Sequence, residues 1–295
     1  MQKRCAFLTM DDTAGWSIDA DLAIAPLQEL GWRIDTVPWR STDADWSTYD
    51  AVYVGTPWDY PQDPPLFLDA LKRIEKAGAL LVNPFALLRW NLNKTYLRDL
   101  ESRGAAIVPT IWLERLHAVA LAGLFERCAS ERIIIKPTIS TNATDTFLLS
   151  RVIPAELQKQ LLEAFADRAC MAQPFIDAIQ TDGEFSLFYI GGAFSHAIQK
   201  RPKPRDFRVQ EEHGASIDAV TPGEALLATA TQVMSLVEPV PMYARVDLVP
   251  DANGRFLLME LELIEPSMYL RMDQAAPGRF ATAFDHYVST RKRDE

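Results

Sequence analysis

The chain is poor in cysteine and glycine, and each scarcity argues against a class of protein. Its 295 residues include three cysteines, Cys5, Cys128 and Cys170. An odd, sparse set of thiols argues against a disulfide framework and favours a reducing compartment, so we expect a cytoplasmic protein. The 13 glycines form neither a GxxxxGK[ST] loop nor a GxGxxG fingerprint. Two common phosphate-binding motifs are therefore absent.

Long apolar runs and excess positive charge are also missing. No stretch approaches the roughly 20 apolar residues of a membrane span, and the N-terminal apolar run is too short for a signal peptide. The net charge is −10, so nucleic acid and anionic membranes are not expected as partners. What remains is a chain with 48% hydrophobic residues, enough for sizeable cores, and long enough for more than one packed unit.

The first 90 or so residues alternate strand and helix signals. Strands are predicted at 5–9, 33–37, 51–54 and 79–82, and helices at 19–30 and 64–77. This alternation predicts a small parallel sheet with helices on its faces. Ligands of such sheets lie beyond the carboxyl ends of the strands. Asp11 and the segment Trp58, Asp59 and Tyr60 occupy that position, which makes them candidate substrate residues.

The remaining chain has a different pattern. A helix is predicted at 93–103, strands at 133–137, 147–150 and 171–175, a helix at 154–168, a hairpin over 184–199 and a helix at 221–237. The antiparallel pairs predict an α+β unit. We therefore expect two domains, residues 1–90 and 91–295, with the boundary near residues 83–93.

Residues 243–267 predict a second hairpin, with Pro250 to Gly254 as its turn. If Pro250 pairs with Arg255, then Asp247 lies opposite Leu258 and Arg245 lies opposite Glu260. Period-two alternation then places Leu257, Met259, Leu261 and Leu263 on an apolar face, and Arg245, Asp247, Glu260 and Glu262 on the other. Three carboxylates on one face suit a hard cation such as Mg²⁺. A solvated charged face explains the same pattern.

Three groups of polar residues suggest an anionic ligand. Lys136 ends an apolar strand, where burial of its charge is costly without an anion, and Lys94 lies near the start of a helix. The hydroxyl-rich residues 138–146 can offer N–H and O–H groups to phosphates. Five cations lie within residues 199–208, including Lys200 and Arg208. Each group alone is also compatible with a solvated surface.

The order of these elements resembles the ATP-grasp superfamily of carboxylate–amine ligases, of the glutathione-synthetase-like type. Within it, the stretches around Trp58, Asn83, Arg89, Glu184, Ser195 and Met259 to Ser267 resemble the branch that contains the O-ureido-serine cyclo-ligase of cycloserine biosynthesis. The elements that carry the resemblance are Lys94, Lys136 with Pro137, Gln173-Pro174-Phe175-Ile176, Glu184, Arg208, Asp247 and Glu260-Leu261-Glu262.

The resemblance implies an ATP-grasp fold, which is α/β plus α+β. An N-terminal parallel α/β (pre-ATP-grasp) domain would precede two α+β subdomains that clasp ATP, a lid over roughly residues 105–175 and a C-terminal subdomain over roughly 176–295. It also implies that Lys94 and Lys136 hold the ATP phosphates. The nucleoside would contact Gln173, Pro174, Phe175, Ile176 and Glu184.

For the metal, the resemblance implies that Asp247, Glu260 and Glu262 bind two Mg²⁺ ions, or Mn²⁺ in their place. Arg208 and Arg245 would stabilise the transferred phosphoryl group, with Lys200 assisting. Ser267 joins Asp11, Trp58, Asp59 and Tyr60 as a candidate substrate residue.

The implied activity is ligation of a carboxylate, activated as an acyl phosphate, to an amine or similar nucleophile, with release of ADP and phosphate. The partners are then small-molecule acids and amines, and the family allows a homodimer. An ATP-binding sensor without turnover is the alternative. A metal-dependent hydrolase is a third reading, but it leaves the lysines and the cationic loop unexplained.

Two departures from the family pattern concern the site. Most of the superfamily has asparagine where this chain has Glu262, and we expect metal binding to survive the added charge. Gly55-Thr56-Pro57 precedes Trp58, where the cyclo-ligase branch tends to carry an arginine and hydroxyl residues. The acid and the nucleophile are therefore not identified by the resemblance.

Overall fold

The structure is a computed structural model that describes residues 2–291. Residue 1 and residues 292–295 of the predicted domain ranges lie outside the described part. Within it, no helix is long and apolar enough to cross a membrane.

The N-terminal part contains a four-stranded parallel sheet. Its strands are β1 (Lys3–Thr9), β2 (Trp32–Pro38), β3 (Ala51–Thr56) and β4 (Leu80–Val82), in the order β2-β1-β3-β4. Two helices connect them, α1 (Ile24–Glu29) and α2 (Pro64–Lys76). The predicted strands are confirmed, but the helix predicted at 19–30 begins as a 3₁₀ turn, Ala20–Ala23. Pro26 has no N–H for an α-helical bond to residue 22, which accounts for the late start of α1.

The chain then forms two short helices, α3 (Phe85–Asn91) and α4 (Tyr96–Ser102). A single helix over 93–103 was the prediction, and α3 was not foreseen. The break lies at Asn93, whose side chain accepts a hydrogen bond from the Thr95 N–H at 3.0 Å. The Lys94 N–H instead donates to the Thr138 carbonyl at 2.7 Å, outside either helix. This turn brings Lys94 against the hydroxyl-rich loop.

A second, antiparallel sheet follows. It consists of β5 (Ile111–Leu113), β6 (Arg132–Pro137), β7 (Phe147–Ser150) and β8 (Cys170–Pro174), in the order β5-β8-β6-β7. Helices α5 (Ala118–Ala122), α6 (Leu124–Arg127) and α7 (Ala155–Ala164) pack with it. The short helix α8 (Ala178–Thr181) follows β8 and contacts the third sheet instead. We call these four strands the lid sheet. Strand β5 was not predicted.

The third sheet has five antiparallel strands and is called the central sheet. They are β9 (Glu184–Ile190), β10 (Ala193–Arg201), β11 (Ser216–Ala219), β12 (Tyr243–Pro250) and β13 (Phe256–Glu262), in the order β11-β10-β9-β12-β13. Two helices complete the chain, α9 (Glu224–Ser235) and α10 (Ala276–Arg291).

The β12–β13 register differs from the prediction. Pro250 pairs with Phe256, Asp247 with Glu260 and Arg245 with Glu262. Two causes account for it. First, the Asp251 carboxylate accepts hydrogen bonds from the Asn253 and Arg255 N–H groups and so lengthens the turn. Second, a bulge between Leu248 and Asp247 leaves Met259 without a paired residue on β12.

The bulge also changes which apolar residues enter the core. Leu258, Leu261 and Leu263 are fully buried, whereas Met259 lines a cavity and Leu257 is only partly buried. The predicted apolar face was therefore wrong for Leu257 and Met259. The prediction that the four charged residues share one face survives, because the longer turn shifts the register by one residue and the bulge shifts it by another. A total shift of two residues leaves each of these side chains on the same face.

The parallel sheet and the central sheet share a core. Tyr53 of β3 packs edge-on against Tyr243 of β12 at 5.0 Å between ring centroids, and against Phe280 of α10 at 5.2 Å. Asn83, fully buried, donates to the carbonyls of Tyr243 at 3.0 Å and Leu263 at 2.8 Å. Its side-chain oxygen accepts from the Met242 N–H at 2.8 Å.

Candidate active site

A deep cavity lies where the three sheets meet. Its walls come from the lid sheet, the central sheet, helix α4 and the loops that follow β1 and β3. Nearly all residues singled out from the sequence line this cavity: Lys94, Lys136, Gln173, Pro174, Phe175, Ile176, Glu184, Lys200, Arg208, Arg245, Asp247, Glu260, Glu262, Trp58, Tyr60 and Ser267.

Asp11 and Asp59 are not part of the cavity lining. Asp11 is exposed after β1. The Asp59 carboxylate accepts the Trp39 indole N–H at 2.6 Å and forms an ion pair with Arg40. Since these contacts hold Asp59 inside the N-terminal part, nothing in the geometry supports a substrate role for it.

The two predicted phosphate-binding lysines differ in their pairing. Lys94 forms an ion pair with Glu260 and donates to the Ser140 carbonyl at 3.3 Å. Burial opposes the charge of Lys94, but Glu260 outweighs burial and raises its pKa. Burial lowers the pKa of Lys136, and no ion pair of Lys136 occurs within residues 2–291. Among the described residues, Lys136 is therefore a cavity cation without a direct ion pair, although Glu260 attracts its charge at longer range.

The hydroxyl-rich loop beside these lysines has an unusual backbone. Asn142, Ala143 and Asp145 have φ values of 49°, 53° and 52° although none is glycine. The buried side-chain oxygen of Asn142 has no hydrogen-bond partner in the part of the chain that the structure describes. Strained, non-glycine left-handed residues are concentrated at binding sites, and such turns can direct N–H groups at an anion.

The central sheet contributes a dense set of charges. Arg245 donates from Nε to Asp247 at 3.0 Å and also pairs with Glu262. Lys200 pairs with Glu184 at 2.7 Å and lies 3.5 Å from Asp247. Although burial opposes its ionisation, Arg245 and Lys200 hold the pKa of Asp247 at about 2.

Glu262 behaves differently from Asp247. Burial raises the pKa of Glu262 to about 7, and the nearby Glu260 and Asp247 act in the same direction. The carboxylate that stands in place of the usual asparagine is therefore harder to ionise than an exposed glutamate, although its ion pair with Arg245 opposes this effect.

The remaining predicted residues frame the cavity. Gln173, the β8 residue predicted to contact the nucleoside, donates to the Thr110 hydroxyl at 2.9 Å, and the Phe175 ring lies 4.4 Å from the Arg132 guanidinium carbon. Arg208 is paired with Asp206 at 2.9 Å. That hydrogen-bonded pair holds the pKa of Asp206 well below its usual range.

The lining residues that were not foreseen include Trp16, Glu265 and Tyr269. Trp16 packs on Trp58 with 4.9 Å between ring centroids. Glu265 is 6% exposed, and burial raises its pKa to about 8. The sequence held a signal for Glu265, because it is the third acidic residue of the run Glu260-Leu261-Glu262-Leu263-Ile264-Glu265.

The oxygen donors of the cavity fit Mg²⁺ only in part. Within residues 2–291, no three acidic, histidine or cysteine side chains are arranged to hold a metal by themselves, since Asp247, Glu260 and Glu262 face cations instead. Mg²⁺, however, usually binds through one or two carboxylates together with phosphates and water. The donor chemistry therefore fits a metal that arrives with a nucleotide.

Comparisons with known proteins identify proteins to which this chain is similar. The family described as "D-cycloserine synthetase DcsG, N-terminal domain" matches residues 5–83. The cycloserine biosynthesis protein DcsG of Streptomyces lavendulae is 28% identical over 286 residues, covering 90% of this chain and 94% of that protein.

Solved structures extend the similarity to the whole fold. The crystal structure of D-cycloserine synthetase DcsG has a TM-score of 0.85 at 25% identity and covers 97% of this chain and 99% of its own. D-alanine–D-alanine ligase from Bacillus anthracis, complexed with ATP, has a TM-score of 0.70 at 14% identity, covering 99% and 100%. At that identity, the second similarity concerns the fold alone.

The fold and the site together define an ATP-grasp ligase, an enzyme that forms a C–N bond. The predicted fold class is thereby confirmed. Within the ATP-grasp superfamily, the chain is similar to D-cycloserine synthetase DcsG.

Proposed function

We propose that the enzyme uses ATP to activate a carboxylate as an acyl phosphate, which an amine or similar nucleophile then converts to an amide-like product. One observation carries the proposal. Lys94 and Lys136 meet the carboxylates Asp247, Glu260 and Glu262 in a single cavity, although they come from different parts of the chain. Cations for phosphate oxygens and hard oxygen donors for Mg²⁺ are what phosphoryl transfer requires.

In this proposal the protein acts by positioning and charge neutralisation. Lys94 and Lys136 bind the phosphates of ATP. Asp247, Glu260 and Glu262 would hold Mg²⁺, whose chemistry is to neutralise phosphate charge. Arg245, whose position is fixed by Asp247, and Arg208 face the transferred group, with Lys200 beside them.

Neither of the two chemical steps requires a nucleophile from the protein. An oxygen of the substrate carboxylate bonds to the γ-phosphorus, and the bond to the ADP oxygen breaks. The nitrogen of the nucleophile then bonds to the acyl carbon, phosphate leaves, and the nitrogen loses a proton. No cysteine lines the cavity, consistent with such a mechanism.

A cytoplasmic location, a homodimer and the two-domain boundaries remain predictions from the sequence.

We infer the class of substrate from the names of the similar proteins. DcsG is named for cycloserine biosynthesis and the Bacillus anthracis enzyme for ligation of D-alanine. We therefore propose an amino-acid-like acid, coupled either within one molecule or to a second amine.

The test is an ADP-release screen over amino acids and their hydroxy, ureido and hydroxamate analogues, supplied singly and in pairs with ATP and Mg²⁺. We expect ADP and phosphate with at least one pair. Release of AMP and pyrophosphate would contradict acyl-phosphate chemistry. ATP binding without turnover in any combination would favour the sensor alternative.

A further inference from the structure

Within residues 2–291, Glu265 differs from the other buried or partly buried carboxylates of the cavity in having no basic partner. Glu184 pairs with Lys200, Asp247 with Arg245, Glu260 with Lys94 and Glu262 with Arg245. Among residues 2–291, no lysine or arginine forms an ion pair with Glu265, although Lys94 exerts a longer-range attraction. Its negative charge is therefore left for something else to neutralise.

Contacts from the N-terminal part fix Glu265 in place. The Trp58 indole N–H donates to its backbone carbonyl at 2.9 Å, and the Tyr60 hydroxyl interacts with its carboxyl group. Both residues belong to the segment that follows β3, and both line the cavity. The carboxyl group is thus held where the parallel sheet meets the nucleotide-binding residues.

The surroundings of Glu265 are aromatic. Trp58 is packed against Trp16, and Tyr60 is 4% exposed. These aromatic side chains offer no oxygen ligand other than the Tyr60 hydroxyl, whereas Mg²⁺ requires about six oxygen ligands. The neighbourhood of Glu265 therefore suits an ammonium group better than a metal ion.

The cost of leaving this carboxylate unpaired is considerable. A buried charge without a partner is strongly unfavourable, and the group takes up a proton instead. Burial, reinforced by Glu262, raises the pKa of Glu265 to about 8. A bound cation would relieve this cost.

We propose that Glu265, with the aromatic side chains of Trp58, Trp16 and Tyr60, forms a subsite for the ammonium group of an amino-acid-type substrate. This inference rests on the proposed function and adds that the substrate carries a positively charged ammonium group. The subsite differs from the residues proposed for phosphate and metal, because it lies at the contact with the N-terminal part.

The experiment measures binding without turnover. Alanine and serine, as both enantiomers, are titrated calorimetrically into the protein saturated with ADP and Mg²⁺, and lactate and glycerate serve as hydroxyl counterparts. We expect at least one amino acid to bind about tenfold or more tightly than its hydroxy acid, a typical effect for a bond to a charged group. Glu265→Gln should abolish this preference while ADP affinity stays close to that of the wild type.

Glu212→Gln is the matched control, because Glu212 is an exposed carboxylate at the rim of the same cavity. It removes the same charge and should retain the preference. A preference that persists in Glu265→Gln, or disappears equally in Glu212→Gln, overturns the subsite. So does a wild type that binds none of the amino acids. Failure of the proposed function would appear separately, as absent ADP release in the screen despite selective ammonium binding.

Discussion

Lys200 of β10 and Glu184 of β9 stand opposite each other in the central sheet and form an ion pair of 2.7 Å. Their exposed fractions are 4% and 7%. The pair extends to Asp247, so one lysine supports two buried carboxylates. The wall of the active site is therefore also a part of the core on which stability depends.

The first prediction follows from this pair. Lys200→Met leaves the carboxylates of Glu184 and Asp247 buried without the lysine charge that offsets theirs. The free energy of unfolding should therefore fall by about 3–5 kcal/mol. Urea denaturation measures the effect. Lys203→Met is the control, since the Lys203 side chain is 52% exposed. Equal stability of the two variants would show that Lys200 is not a structural element of the wall.

The second prediction concerns Lys136. Because it has no ion pair within residues 2–291, Lys136→Met should not lower the melting temperature. It should weaken ATP binding by about tenfold or more, through loss of a charge-assisted hydrogen bond. A fluorescent-nucleotide displacement assay gives the affinity, and Lys159→Met on α7 is the control for a surface lysine. Unchanged affinity would remove Lys136 from the phosphate site.

The third prediction compares two carboxylates on β13. Glu260→Gln should abolish ADP release while ATP still binds weakly, because Glu260 is a proposed metal ligand that also orients Lys94. Glu262→Asn restores the residue usual in the superfamily and should retain turnover. Both variants are assayed with the substrate pair found in the screen. Normal turnover in Glu260→Gln would mean that the metal assignment is wrong.

The fourth prediction is a pH dependence of stability. The pKa of Glu265 rises from an ordinary 4.5 to about 8 in the folded protein, so the folded state holds this proton more tightly than the unfolded state. The resulting stabilisation is complete below about pH 4.5 and is lost as the pH rises towards 8. The stability of the wild type relative to Glu265→Gln should decline across that window and level off above it.

Urea denaturation of both proteins between pH 5 and 9, without ligands, measures the decline. Glu163→Gln, a change in an exposed residue of α7, is run in parallel to separate the effect from titration elsewhere. If the difference in free energy of unfolding between wild type and Glu265→Gln did not change with pH, the raised pKa of Glu265 would be contradicted.

The sequence was sufficient for features that depend on local pattern. The strands of the parallel sheet were predictable because apolar runs alternate with clear breakers such as Gly31 and Gly78. The gathering of Lys94, Lys136 and the β13 carboxylates was predictable only through the order of elements shared with a known superfamily.

Other features depend on tertiary contacts. The bulge at Met259 cannot be read from alternation, which assumes an unbroken ladder. Strand β5 has three residues, all half-buried, and gives too short a pattern. Among the described residues, Glu265 has no basic side chain in ion-pair contact, which depends on distances across the fold. The sequence could therefore show the residue but not its unpaired charge.

The buried side chain of Asn83 joins two parts of the fold. It hydrogen-bonds to Met242, Tyr243 and Leu263 and so links the end of β4 to the central sheet. The spacing between the proposed ammonium subsite and the carboxylates of β13 is therefore set by the buried core. A substrate would meet contacts for its amino end and for its activated end at a separation that is fixed before it binds.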